Sequence, residues 1–146
     1  MEVWIGLVGA VAGATVAFAG QYFVSRAELG AAHRASVLEH CVELIALSED
    51  FRNRLWEERR LATTGSVQGW DLNAYRRAEA ALRLLTQDAQ LHAAVDELRQ
   101  TGQDLGSLWR RRGHDGDQEQ LESYLNAHQA AIKTFIRIAN VHMQSL

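Results

Sequence analysis

Proline is absent from the 146-residue chain, and cysteine and lysine occur once each, as Cys41 and Lys133. Without proline, every residue can supply the backbone N–H that a helix needs, so long helices are not interrupted. A single cysteine excludes both an intramolecular disulfide and a cysteine-based zinc site, and it fits a reducing compartment. Because no stretch sustains strand-like alternation of polar and apolar residues, the sequence predicts an all-α fold.

Charged side chains are also absent from residues 3–24. As a helix this stretch is about 33 Å long, whereas the hydrocarbon core of a bilayer is roughly 30 Å thick. Trp4 and Tyr22 lie near its two ends, where such rings favour the membrane interface. We therefore interpret residues 1–24 as a single transmembrane helix.

The charges that flank this span predict its orientation. Arg26 and Arg34 follow it, whereas Glu2 is the only charged side chain before it. By the positive-inside rule we expect a single-pass protein of the cell membrane with its N-terminus outside and its C-terminal domain in the cytoplasm. The triplet Ala17-Phe18-Ala19 keeps open the alternative of a cleaved signal peptide, although the basic segment that opens such peptides is missing.

Small residues recur at steps of three and four along one face of the span. They are Gly6, Gly9, Ala10, Gly13, Ala17 and Gly20. Small side chains let two transmembrane helices approach closely, so this face predicts self-association into a homo-oligomer.

Residues 25–146 have room for one small domain. Apolar residues at helical spacing predict helices at about 25–62, 71–86, 88–111 and 117–145. We expect the transmembrane helix to continue into the first of these, and the four to form an antiparallel cytoplasmic bundle. Asp71 and Asp117 are expected to cap two helices, the second with Gln120 in a capping box.

The first cytoplasmic helix carries two apolar stripes. One continues the spacing of the span through Val24, Ala27, Ala31, Ala35, Leu38, Val42 and Ile45. The other comprises Val37, Cys41, Leu44, Phe51 and Leu55. A helix with two apolar stripes needs two sets of neighbours, which indicates packing against its own domain and, as a coiled coil, against a partner chain.

Three segments carry a resemblance to a known group of proteins. They are the glycine- and alanine-rich span followed by Arg26, the segment from Ala74 to Leu85, and the segment from Ala130 to Arg137. In these the chain resembles uncharacterised actinobacterial membrane proteins with one N-terminal span and an all-helical cytoplasmic domain. The resemblance implies a topology, and it implies neither an activity nor a site.

No pattern of reactive residues predicts catalysis, a cofactor or a metal site. The chain has neither a Glu-x-x-His pair nor a His-Glu-x-x-His motif, and no nucleophile elbow or phosphate-binding loop. His128 and His142 fall on the core side of the last helix, where hydrogen-bonded structural histidines are expected. The carboxylate pairs Glu57-Glu58 and Asp96-Glu97 are expected on solvated helix faces.

The strongest local charge is the run Arg110, Arg111 and Arg112 beside Trp109. An aromatic ring beside arginines is typical of surfaces that bind phosphate-rich partners, so these four residues form a possible interaction patch. The net charge of -3 gives no general attraction to nucleic acid, and we consider nucleic acid an unlikely partner.

These patterns predict a non-enzymatic, membrane-anchored helical protein that self-associates and acts as an adaptor or scaffold. Its expected partners are a second copy of itself, the lipid bilayer and a cytoplasmic protein of unknown identity. The alternative is an oligomeric pore-forming or membrane-disrupting protein that is gated by its cytoplasmic bundle. A span so poor in polar residues favours a hydrophobic constriction over an open, water-lined pore.

Overall fold

The computed structural model describes the backbone of residues 2–146 and the side chains of residues 25–146. It contains four α-helices: α1 (Glu2–Leu61), α2 (Leu72–Leu85), α3 (Ala89–Arg112) and α4 (Gln118–Ser145). Two short 3-10 helices, Val67–Gly69 and Gly113–Asp115, lie in the connections. No strand occurs in the described part of the chain, so the all-α prediction is confirmed.

The predicted helix ends agree with the structure to within one residue, apart from the start of the first helix, which lies inside α1. The chain divides into two compact units, residues 1–35 and residues 36–146. The second unit contains the later part of α1 and all of α2, α3 and α4.

Across the residues that the structure describes, no helix combines the length and the hydropathy needed to cross a membrane. The predicted transmembrane helix at 1–24, with its small residues Gly6, Gly9, Ala10, Gly13, Ala17 and Gly20, lies outside the described side chains. The span, its orientation and its association therefore remain predictions.

Aspartate side chains cap three helices of the bundle. Asp71, Asp88 and Asp117 accept hydrogen bonds from the backbone N–H groups of Ala74, Leu91 and Glu119, at 2.8, 2.9 and 3.1 Å. Such a bond satisfies a backbone donor that the first turn of a helix leaves free, and it is worth about 1 kcal/mol. The expected capping box with Gln120 is not formed among the described residues, because Asp117 accepts the N–H of Glu119 instead of that of Gln120, and the Gln120 side chain makes no bond back.

Polar contacts between α3 and α4 show that the two helices are antiparallel. Thr101 Oγ1 lies 2.9 Å from His128 Nδ1, and Asp88 Oδ2 lies 2.8 Å from His142 Nδ1. Moving back by 13 residues on α3 therefore corresponds to moving forward by 14 on α4. The short connection at 113–117 accounts for this arrangement, because it is long enough only to reverse the chain.

The other neighbouring helices run in opposite directions as well. Between α1 and α4, Gln129 Nε2 donates to Glu49 Oε1 at 3.5 Å, and Arg59 Nη1 donates to the carbonyl of Gly116 at 3.5 Å. Between α2 and α3, Arg83 Nη2 lies 2.6 Å from Asp96 Oδ1, and Arg99 Nη1 lies 3.5 Å from Glu79 Oε1. Successive helices thus alternate in direction, which gives the antiparallel bundle.

All four helices contribute to the larger of two apolar clusters. Its fully enclosed side chains include Leu44 from α1, Leu82 from α2, Leu98 from α3 and Phe135 from α4. A smaller cluster forms where α1 and α3 end and α4 begins, and comprises Phe51, Leu55, Leu105, Leu108, Trp109 and Leu121. These two clusters hold the bundle together, because burying apolar side chains is the main favourable contribution to folding.

Candidate functional site

The two predicted stripes of α1 have different environments in residues 36–146. Val37, Cys41 and Leu44 of the second stripe are enclosed in the core. On the first stripe Leu38 is 50% exposed and Val42 is 55% exposed. One stripe therefore packs against the chain's own domain, and the other leaves large apolar side chains in contact with solvent.

The structure corrects the position of one residue on the exposed stripe. Ile45 is half-buried and packs against the main core cluster, whereas Ala46 is exposed. Leu38, Val42 and Ala46 follow one another at steps of four, which places them on one helix face. We call these three residues the α1 surface.

Helix α4 forms one edge of the α1 surface. Gln129 faces α1, as its bond to Glu49 shows. Ile136 follows Gln129 by seven residues and therefore projects from the same side of α4. Ile136 is half-buried against the core cluster, so this boundary contains an apolar side chain as well as the polar contact between Gln129 and Glu49.

Charges of opposite sign border the α1 surface on its two sides. On α1, Glu39 is exposed, and the side chain of Glu43 is 40% exposed. On α4, Lys133 is exposed and follows Gln129 by four residues, whereas Arg137 lines a surface cleft with Ala93 and Glu97 of α3. The surface is thus an apolar strip with two glutamates on one side and one lysine on the other, and apolar residues framed by charges are typical of a protein-binding face.

The predicted interaction patch is divided between the core and the surface. Trp109 is only 8% exposed, and its Nε1 donates to Glu58 Oε2 at 3.0 Å. Arg110, Arg111 and Arg112 are exposed in the last turn of α3. In that position arginines complement the negative end of the helix, so they stabilise α3 whether or not a ligand binds.

Acidic residues lie beside Arg112, the last of these arginines. Arg112 lines a surface cleft together with Asp115, Asp117 and Glu119. The carboxylates offset the positive charge that an anionic ligand would need. The structure does not place Trp109 beside the arginines as an exposed ring, and binding at this patch stays a prediction.

Glu58 was expected on a solvated face, and this expectation is wrong. Glu58 is 4% exposed, and its two carboxylate oxygens accept bonds from Val67 N at 2.8 Å and Trp109 Nε1 at 3.0 Å. It follows Leu55 by three residues on the buried stripe of α1, and this spacing was the available signal in the sequence. Through these two hydrogen bonds Glu58 links the connection after α1 to α3, which is a structural role.

Thr86, His142 and Asp88 form an arrangement that resembles a nucleophile, base and orienting acid. His142 Nε2 lies 3.2 Å from Thr86 Oγ1, and His142 Nδ1 lies 2.8 Å from Asp88 Oδ2. The Thr86 hydroxyl also accepts the backbone N–H of Asp88 at 3.1 Å. Because Thr86 and His142 are each only 7% exposed, a substrate does not reach the hydroxyl, and the group joins the end of α4 to the α2–α3 connection.

The backbone N–H of Leu91 and the His142 side chain hold the pKa of Asp88 below its usual value. Replacing His142 with alanine should lower the free energy of unfolding by about 1.5 kcal/mol, because the contacts to Thr86 and Asp88 are both lost. Urea unfolding measures the change, with the exposed Val141→Ala as the neighbouring control. A loss of stability no larger than that of the control would show that the His142 contacts do not stabilise the position of α4.

The Cys41 thiol is unsuited to act as a nucleophile. Burial raises the pKa of the Cys41 thiol to about 11, so the nucleophilic thiolate is scarce at neutral pH. Within the described residues no three side chains of histidine, cysteine, aspartate or glutamate come together as metal ligands would. The α1 surface is therefore the candidate functional site.

The chain matches no protein-family model, no curated protein and no solved structure.

Proposed function

We propose that this chain is a non-enzymatic, membrane-anchored helical protein that self-associates through α1 and serves as an adaptor or scaffold for cytoplasmic partners. The observation that carries this proposal is the exposure of Leu38 and Val42 on the α1 surface. A fully buried leucine or valine contributes about 1.5 to 3 kcal/mol, so covering these half-exposed side chains adds about 1 kcal/mol each. In a two-fold assembly each contribution occurs twice.

The sequence supports a second copy as the partner. Glycine and alanine at steps of three and four in residues 6–20 are followed by the apolar stripe that contains Leu38 and Val42. Copies anchored by the same span enter the cytoplasm in the same direction, so identical α1 helices meet side by side. Membrane anchoring also confines the copies to two dimensions, which raises their effective concentration.

The adaptor role follows from what the bundle offers. The α1 surface includes no residue of α2 or α3, so the exposed faces of these two helices stay free for a cytoplasmic protein after α1 has paired. The buried environments of Cys41 and Thr86 support a role without catalysis, because neither nucleophile is accessible.

The mass of the full-length protein in detergent tests self-association. We expect a dimer or another small oligomer, and replacement of Leu38 and Val42 by serine should raise its dissociation constant about a hundredfold or more. Leu84→Ser is the matched control, because Leu84 is 87% exposed on α2, away from the α1 surface. Its dissociation constant should equal that of the unaltered protein.

Two outcomes would count against the proposal. A monomer at every accessible concentration would remove self-association. A ring of five or more subunits that releases ions from liposomes would favour the pore-forming alternative. Replacing Gly9 and Gly13 by leucine tests the predicted span separately, since larger side chains prevent close approach of two transmembrane helices.

A further inference from the structure

Helix α2 has an exposed face that is separate from the α1 surface. Arg76, Arg77, Ala80 and Leu84 are all exposed, and they lie on one side of the helix because they are spaced at about one turn. We call these four residues the α2 surface. We propose that it binds an acidic amphipathic helix of a cytoplasmic protein. This inference rests on the proposed adaptor role and specifies the chemistry of the partner.

Charge is the first property that the partner has to match. Helix α2 contains three arginines and one glutamate, in a chain whose net charge is -3. The glutamate, Glu79, is only 8% exposed, and its carboxylate lies 2.9 Å from Arg83 and 3.5 Å from Arg99. Arg76 and Arg77 form no ion pair within the described residues. The α2 surface thus presents two positive charges and no carboxylate of its own helix.

The carboxylate of α3 that contacts α2 is already paired. Asp96 Oδ1 lies 2.6 Å from Arg83 Nη2 and 3.1 Å from Arg99 Nη2. Together with Glu79 these residues form a network of two acidic and two basic side chains between α2 and α3. Because this network is neutral as a whole, it does not offset the charge of the α2 surface, and carboxylates of a partner complement that charge.

Leu84 is the apolar part of the α2 surface. It is 87% exposed, the largest exposed fraction of any large apolar side chain in the described part of the chain. Covering it removes apolar area from water, which favours binding. Ala80 precedes it by about one turn, and its small side chain lets a second helix pack close to the backbone of α2.

The spacing along α2 specifies the pattern that the partner carries. At 3.6 residues per turn, Arg77 and Leu84 nearly align along the helix, two turns or about 10 Å apart. Arg76 lies on the other side of the line through Ala80. A helix that packs along α2 therefore matches it with an apolar side chain about two turns away from a pair of carboxylates.

An anionic membrane offers the same sign of charge, but the α2 surface suits it less well. A helix that lies in the membrane interface buries a broad apolar face about 5 to 10 Å into the headgroup region. The α2 surface has Leu84 as its one large apolar side chain. Guanidinium groups bind carboxylates through two parallel hydrogen bonds, so two neighbouring arginines favour the defined carboxylates of a protein.

Selection from a displayed library of helical peptides tests the chemistry of the partner. The full-length protein in non-ionic detergent is the bait, and the exposed positions of the peptides are random. We expect the enriched peptides to carry a large apolar residue about two turns from a pair of carboxylates. Enrichment of neutral or basic peptides, or of none, would overturn the inference.

Titration of an enriched peptide at low salt locates its binding site. R76E/R77E should raise the dissociation constant about tenfold or more, because repulsion replaces attraction. R110E/R111E is the matched control, since it reverses an adjacent pair of exposed arginines on α3, and it should change the constant by less than about twofold. If the control weakens binding as much as R76E/R77E does, the peptide binds at the end of α3 and the α2 surface is not the site.

The apolar contact is tested in the same titration. L84S should raise the dissociation constant about fivefold, because the leucine is no longer available to the peptide. V141S is the control, since Val141 is 57% exposed on α4, and it should have no effect. Equal effects of L84S and V141S would contradict the assignment of Leu84.

A cysteine in place of Ala80 distinguishes a peptide from a membrane as the occupant. Cys41 is buried, so a thiol reagent reacts with A80C alone. The enriched peptide should slow this reaction in detergent. The rate should be equal in vesicles of phosphatidylcholine and in vesicles of equal parts phosphatidylcholine and phosphatidylserine. A slower reaction in the second vesicles would show that the membrane covers the α2 surface, and would overturn the inference.

The mass in detergent separates this inference from self-association. R76E/R77E should leave that mass unchanged, because the α2 surface shares no residue with the α1 surface. A dimer that selects no acidic peptide would mean that the docking inference fails and self-association stands. A monomer that binds an acidic peptide through Arg76, Arg77 and Leu84 would mean the reverse.

Discussion

Replacing Glu58 with alanine is expected to lower the free energy of unfolding by about 3 kcal/mol. The carboxylate accepts the backbone N–H of Val67 and the indole N–H of Trp109, and the residue is 4% exposed. Hydrogen bonds to a charged group contribute about 1.5 to 3 kcal/mol each, and a buried donor without a partner costs a further penalty. Urea unfolding of the two proteins at pH 7 measures the difference.

Glu57 supplies the matched control for this change, because it is the adjacent residue of the same helix and is exposed. Glu57→Ala should change stability by less than about 0.5 kcal/mol. Glu58→Gln keeps the size of the side chain, but its NH₂ group is a donor that faces one of the two N–H donors. Its loss of stability should therefore fall between the losses of Glu57→Ala and Glu58→Ala. Equal losses of stability for Glu58→Ala and Glu57→Ala would contradict the structural role of the Glu58 hydrogen bonds.

The helices of this protein were predictable because their signals are local. Asp71 and Asp117 precede helices that begin at the next residue, and the glycine-containing connections interrupt the apolar spacing. The absence of proline removes the main cause of breaks elsewhere. Boundaries therefore follow from a few residues at each end, without knowledge of what the helices touch.

The contacts between helices depend on register, which a single sequence specifies poorly. Ile45 and Ala46 are both apolar, and only the rotation of α1 within the bundle decides that Ile45 packs inward. Glu58 is buried because Val67 and Trp109, which lie nine and 51 residues further along the chain, both present N–H groups to it. Long-range partners of this kind cannot be inferred from the spacing within one helix.

For the same reason, only one part of the candidate site could be predicted from the sequence. The apolar stripe through Leu38 and Val42 was visible in the sequence, and so was the need for a second set of neighbours. The different surroundings of Lys133, beside this surface, and of Arg137, in a cleft with α3, became apparent only when α4 was placed in the bundle. A binding surface formed from two helices requires their relative register before its charge pattern has meaning.

His128 should make the protein sensitive to mild acid. The side chain is 2% exposed, and burial lowers its pKa below the ordinary value of 6.5. Arg52 lowers this pKa further, whereas the backbone of Ser48 and the Glu49 carboxylate oppose the shift. Its Nδ1 is hydrogen-bonded to Thr101 at 2.9 Å, and burial is the main reason that the protonated ring is disfavoured.

The sign of the effect follows from proton binding in the two states. Below pH 6.5 the unfolded chain protonates this histidine while the folded chain leaves it neutral. The unfolded state then binds more protons, so the contribution of His128 to stability is complete above pH 6.5 and is lost as the pH falls towards the lowered pKa. The slope between pH 6.5 and the lowered pKa is at most about 1.4 kcal/mol per pH unit.

Urea unfolding between pH 7 and 5 should therefore show a loss of stability that disappears in His128→Leu. Thr101→Val provides a second test, because it removes the hydrogen bond but keeps the buried imidazole, so it should lower stability by about 1 kcal/mol and retain the pH dependence. His114→Gln, an exposed position, is the control for histidine titration in general. If His128→Leu keeps the full acid dependence of the unaltered protein, then another group titrates and the buried imidazole is not the source. If the acid dependence vanishes in His128→Leu and persists in Thr101→Val, then the buried His128 ring at the contact between α3 and α4 is the source.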